Sequence, residues 1–96
     1  EDCGAIMAAI DDAQLGNITA MLKNVKPAVE SLAGYEGEKS SSNAEFVHLV
    51  AVANVRMTIA DIRTFSPVLK DMEEAGELQI AGALYDMQTG AVNFLD

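Results

Sequence analysis

The stretch Ala44-Glu45-Phe46-Val47-His48-Leu49-Val50-Ala51-Val52-Ala53-Asn54-Val55-Arg56-Met57-Thr58-Ile59-Ala60-Asp61-Ile62-Arg63-Thr64 reads either as a helix or as buried β-structure, and the fold follows from that choice. Its valines favour a strand. Its length decides for a helix, because no turn signal interrupts it before Ser66-Pro67 and strands rarely exceed ~10 residues. Phe46, Val47, Leu49, Val50, Val52, Val55, Met57 and Ile59 leave hardly any polar face, which predicts a helix buried on most sides. Ser42 or Asn43 is the expected N-cap, with Glu45 in the first turn to complement the helix dipole. Such a helix carries more apolar surface than the rest of the chain can cover. A sheet outside this sequence or a second subunit is therefore expected against it.

Downstream, Ser66-Pro67 restricts the backbone before it and starts a short helix over Pro67 to Ala75, closed by Gly76. At Leu78-Gln79-Ile80-Ala81-Gly82-Ala83-Leu84-Tyr85 the apolar period changes, and Ala91-Val92-Asn93-Phe94-Leu95 alternates. The intervening Asp86-Met87-Gln88-Thr89-Gly90 is a good hairpin loop, so an antiparallel ribbon is expected over 78–95. Two strands alone are marginal, and the ribbon needs a larger sheet or the helices beneath it. Upstream, Gly34 to Asn43 has two glycines, three serines and no apolar period, and reads as a solvated loop. Before it, Gly4 to Ile10 predicts a short helix, and Asp11–Gly16 a break. Ile18, Leu22, Val25 and Val29 then recur at helical spacing, with a kink or a fresh first turn at Pro27.

The chain has 96 residues, half of them hydrophobic, which is too apolar for disorder and too short for several repeated βαβ units. Its net charge of −9 disfavours nucleic acid and anionic membrane surface as partners. The acidity is even: eight acids and three bases in residues 1–48, seven and three in 49–96. The longest apolar stretch, Phe46 to Val55, is interrupted by His48 and Asn54 and falls short of the ~20 residues of a membrane span. One cysteine, Cys3, excludes an internal disulfide. The chain opens on Glu1 without a methionine or a signal-type segment, and is expected to be part of a longer protein.

Several pieces together resemble the β-class carbonic anhydrases. Asp2-Cys3-Gly4-Ala5-Ile6-Met7-Ala8-Ala9-Ile10 is similar to the segment that follows the family's zinc-ligand histidine, whose pattern is Gly-His, two variable residues, then Cys-Gly-Ala. That histidine would stand immediately before Glu1. In order along the chain follow Leu15-Gly16-Asn17-Ile18-Thr19, Lys26-Pro27-Ala28-Val29, Asn54-Val55 with Thr58, and Ser66-Pro67-Val68-Leu69. Leu78 to Asp86, with Thr89-Gly90, completes the series. Each piece is short; their collinear order makes chance a poor explanation.

The resemblance implies an α/β fold of which this chain is the later part: helices including one long buried helix, then a terminal β-hairpin. Residues 1–96 would form a single incomplete carbonic-anhydrase-like domain: 1–33 with the ligand cysteine and helices, 34–43 a loop, 44–75 helices, and 78–95 the hairpin. It implies reversible hydration of carbon dioxide to bicarbonate on zinc held by two cysteines and one histidine, with water or an aspartate in the fourth position. In such sites the metal lowers the pKa of bound water to about 7. Cys3 is the metal ligand carried here, and the Gly4 backbone N–H would be left open toward substrate. The other ligands, and the Asp-Arg pair that orients hydroxide, would lie upstream. The chain alone would be inactive, and the complete protein a homo-oligomer.

Without the resemblance, Cys3 is a thiol at a helix start, where the dipole favours the anion or the group is simply inert. His48, the single histidine, reads as a hydrogen-bonded helix residue, because a zinc site needs three or four ligands. Asp11-Asp12 and Glu73-Glu74 are adjacent pairs that diverge by about 100° on a helix, and read as solvated charges. Met7, Met21, Met57, Met72 and Met87 read as core filler. A non-catalytic helical packing or dimerisation module is the alternative function, since the long helix and the ribbon are surfaces that a partner would cover.

Overall fold

Asn43 ends the loop and opens the long helix: its side-chain Oδ1 accepts the Glu45 N–H at 3.2 Å, and its carbonyl accepts the Val47 N–H at 3.0 Å. The computed structural model describes residues 3–95. Seven elements follow in chain order: α1 (Gly4–Ile10), α2 (Ile18–Leu22), α3 (Lys26–Glu30), α4 (Ala44–Phe65), α5 (Pro67–Glu74), β1 (Gly82–Tyr85) and β2 (Val92–Leu95). They fall into two compact units, one within residues 3–54 and one within 55–95. None of the described helices is long and apolar enough to cross a membrane.

In the first unit α1 packs against α2 and α3, and the core is made by Ile6, Ala9, Leu22, Ala28, Phe46, Val47, Val50 and Ala51. The break after α1 is built by its C-cap. Asp12 takes the left-handed conformation at φ 56°, and the Asp12 and Ala13 N–H groups donate back to the Ala9 and Ala8 carbonyls at 3.3 and 3.0 Å. Aspartate is among the few residues with a side chain that tolerate this region. Pro27 begins a new helix: α2 stops at Leu22, and α3 starts at Lys26 with the proline in its first turn. The 34–43 loop is tied to α4 by Tyr35, whose ring lies 5.1 Å from that of Phe46 and whose hydroxyl donates to Glu45 Oε1 at 3.0 Å.

In the second unit, the Ser66 side chain caps α5 by accepting the Leu69 N–H at 3.3 Å. Gly76, at φ 79°, closes the helix: its N–H donates to Glu73 and that of Glu77 to Met72, at 3.1 and 2.9 Å. The strands pair antiparallel, Gly82 with Leu95, Ala83 with Phe94, Leu84 with Asn93 and Tyr85 with Val92. The pleat puts Gly82, Leu84, Asn93 and Leu95 on one face and Ala83, Tyr85, Val92 and Phe94 on the other. Tyr85, Val92 and Phe94 are exposed, Phe94 at 73%.

Three expectations are corrected. The long helix is not buried on most sides: its fully buried residues, Phe46, Val47, Val50 and Ala51, are confined to the first half, while Val55, Met57, Ile59 and Ile62 are half-buried and Phe65 is exposed. A helix is covered only on the side that other elements reach, and apolar residues all round do not supply those elements. The ribbon is shorter than 78–95, because residues 78–81 have no strand partner among the described residues and pairing starts at Gly82. None of the five methionines is buried; Met21 and Met87 are exposed.

Candidate functional site

Cys3 stands directly before α1 as its N-cap, with extended backbone at φ −82° and ψ 114°. Its carbonyl accepts the Met7 N–H at 3.1 Å, its side chain makes no capping hydrogen bond, and the free thiol is exposed. Gly4 is exposed as the first residue of α1, and a Cβ added there would meet nothing within 4 Å. The N–H groups of that first turn have no acceptor within the helix. Thiol and first-turn backbone are therefore open on the same helix end.

The far end of α1 is fastened by charge. The Asp11 carboxylate accepts from the Ser41 N–H at 3.3 Å and from the Ser41 hydroxyl at 2.5 Å, and Asp12 forms an ion pair with Lys26. Both aspartates are exposed, in keeping with their reading as solvated charges, and they also tie the loop and α3 to α1. No spacing rule shows it, since Asp11 and Ser41 are thirty residues apart.

A zinc ion needs three or four ligands. Among the described residues no three His, Cys, Asp or Glu side chains come together to hold a metal ion. His48 is exposed on α4 and joins no such group with Cys3. The residues present thus do not make a zinc site by themselves; Cys3 is at most one ligand of it.

A second constellation, absent from the sequence reading, belongs to the unit of residues 55–95. Arg63 donates from Nε and Nη2 to the two carboxylate oxygens of Glu73, both at 2.8 Å. Glu73 is therefore no solvated charge. Donation from Arg63 holds its carboxyl below the ordinary range, with a smaller contribution from the Ile80 N–H, and the same hydrogen bond pushes the guanidinium further up. Asp86, in the hairpin loop, is likewise held low by the Gln88 and Thr89 N–H groups, which donate to Oδ1 at 2.9 and 3.3 Å. Arg63 and Glu73 are ten residues apart and meet because α5 folds back after Pro67.

A carboxylate whose folded pKa is depressed contributes stability in full above its ordinary value, about 4.5 for Glu73, and loses it as pH falls through the lowered folded value. Acid unfolding of the Glu73→Gln variant, followed by circular dichroism, should show a shallower loss of stability below that pH than the parent. An unchanged acid limb would contradict the role of the pair.

Next to the pair lies an open cavity of about 270 Å³, lined by Arg56, Ile59 and Arg63 of α4, by Gln79 and Ile80 ahead of β1, and by Leu95 of β2.

No curated protein and no solved structure matches the chain. The carbonic anhydrase family matches it over residues 1–92, a span that takes in Cys3, all five helices and the hairpin loop. With nearly its whole length matched, the chain belongs to the carbonic anhydrase family, in the β class that its motifs resemble.

Proposed function

We propose that the chain is the carboxyl-terminal part of a zinc-dependent carbonic anhydrase that reversibly hydrates carbon dioxide to bicarbonate, with Cys3 as one of the zinc thiolates. The observation that carries this reading is the position of Cys3: in a family that matches 92 residues here, it is an exposed, uncapped thiol in the Cys-Gly-Ala context. Zinc with a full ligand set supplies Lewis acidity toward water. What this chain would contribute is a thiolate at the start of α1 and, in the exposed Gly4, a first-turn backbone N–H with no acceptor within the helix. The remaining ligands are taken to come from residues outside the described ones, and 1–96 is one incomplete domain of a homo-oligomer.

Two measurements test the reading. In the complete protein, Cys3→Ser should remove zinc and hydration activity together; a variant with full zinc content would sink the assignment. The 96-residue chain with added zinc should show no stopped-flow carbon dioxide hydration above background. A kcat/KM of ~10⁴–10⁸ M⁻¹s⁻¹, ordinary for enzymes, would mean that a site forms from residues other than those named.

One observation favours a second reading, a non-catalytic packing or dimerisation module: Tyr85, Val92 and Phe94 leave one face of the ribbon apolar and exposed. Both readings allow self-association, so zinc content measured together with sedimentation separates them. A zinc-free chain that self-associates reversibly through this face, with Phe94→Asp abolishing the association, fits the module.

A further inference from the structure

We propose that the cavity beside the Arg63–Glu73 pair is a binding site for a small monocarboxylate with a short aliphatic tail. The proposal is independent of zinc and of Cys3.

Charge selects a monoanion. Arg56, Ile59 and Arg63 lie at i, i+3 and i+7 on α4, so the two guanidinium groups share one helix face with an aliphatic side chain between them. Arg63 is held in place by both oxygens of Glu73, which also offset its charge. A guanidinium has five N–H donors, and two are engaged there; the others remain for a second acceptor. Arg56 makes no ion pair among the described residues, although acids outnumber bases in the chain fifteen to six. The cavity therefore offers one uncompensated positive charge. A dianion such as sulfate would exceed that charge and meet the field of a chain with net charge −9.

Shape and lining select the carboxylate and its tail. Guanidinium forks match the two coplanar oxygens of a carboxylate, and the Gln79 amide adds donors at the rim. The rest of the lining, Ile59, Ile80, Ala81, Gly82 and Leu95, carries no polar side chain. Gly82 keeps the floor close to α4, because the space that its Cβ would need is filled by Val55 and Ile59. A polar rim over an aliphatic floor fits an amphipathic anion of a few carbons, and about 270 Å³, just below the usual range of ligand pockets, holds nothing larger.

The test is a titration of the ¹⁵N-labelled complete protein with sodium butyrate, acetate and sulfate at constant ionic strength, read by amide chemical shifts. Butyrate should shift Gln79, Ile80, Gly82 and Leu95 saturably and more tightly than acetate, and sulfate should leave them unmoved. Arg56→Gln should weaken butyrate binding about tenfold or more, as expected for loss of a charge-assisted hydrogen bond, and Arg56→Lys should recover only part of it. The proposal is overturned if butyrate gives no saturable shift, if sulfate moves the same amides as tightly, if acetate equals butyrate, or if Arg56→Gln binds butyrate like the parent. Arg56 is exposed, so the substitution leaves the core untouched. Should Arg56→Gln nevertheless fail to fold, the comparison of the three anions on the parent chain decides the question.

Discussion

Replacing Phe46 by alanine should destabilise the unit of residues 3–54 by about 3–5 kcal/mol, the range for deleting a buried aromatic ring. Phe46 is 1% exposed, and with Leu22 and Val50 it is among the largest fully buried side chains. Its ring also meets the tilted ring of Tyr35, an arrangement that adds to simple area burial. Tyr35 in turn donates to Glu45 and accepts from Asn43 at 3.2 Å, and Asn43 caps α4 and donates to the Glu38 carbonyl at 2.8 Å. Loss of the Phe46 ring therefore leaves a cavity and loosens the loop that the ring anchors. Small domains have only ~5–15 kcal/mol of stability in total, so the variant should unfold at far lower urea concentration. Phe46→Leu should recover most of the loss, because it refills much of the volume. A Phe46→Ala variant within 1 kcal/mol of the parent would show that the ring is not part of a tight core.

Gly82→Val should be similarly damaging in the other unit, by the opposite mechanism. A Cβ on residue 82 would sit 2.5 Å from Val55 Cγ1 and 2.9 Å from Ile59 Cδ1, closer than real Cβ contacts come. The backbone conformation there does not demand glycine; only the space does. Even alanine should cost ~1–3 kcal/mol by overpacking, and valine more, because side chains of α4 already fill the space that a Cβ at residue 82 needs. The check is a double-mutant cycle. Val55→Ala removes the nearer methyl, so Gly82→Ala should cost much less in that background than alone. If Gly82→Ala proves neutral in the parent chain, β1 does not approach α4 as closely as the structure places it.

These two sites also show where sequence reading succeeds and where it stops. Of the kink or fresh first turn expected at Pro27, the structure has the fresh turn: a missing N–H and a fixed φ act within one residue, and α3 starts at Lys26 with the proline in its first turn. Asn43, one of the two expected caps, Ser66-Pro67 as a helix start, Gly76 as its closure and the Asp86–Gly90 turn are found for the same reason: each is decided within about five residues. The collinear motifs likewise pointed to the family that matches residues 1–92. Cys3 is a candidate ligand only through the family resemblance, and among the described residues no three His, Cys, Asp or Glu side chains come together to hold a metal ion.

What local chemistry did not contain was which side of each element would be covered. Phe46 and Phe65 are the same residue on the same helix, yet one is 1% and the other 80% exposed, because burial depends on the elements that arrive opposite. Glu73 and Glu74 are adjacent carboxylates, and only Glu73 gains Arg63, since the fold-back at Pro67 aims one side of α5 at α4. Asp11 finds Ser41 across thirty residues by the same kind of closure. The positions of turns, caps and helices are thus a property of this sequence read in short windows. The ion pairs, the cavity between Arg56 and Leu95 and the one-sided burial of α4 came only with packing, which brings together residues whose spacing carries no periodic signal.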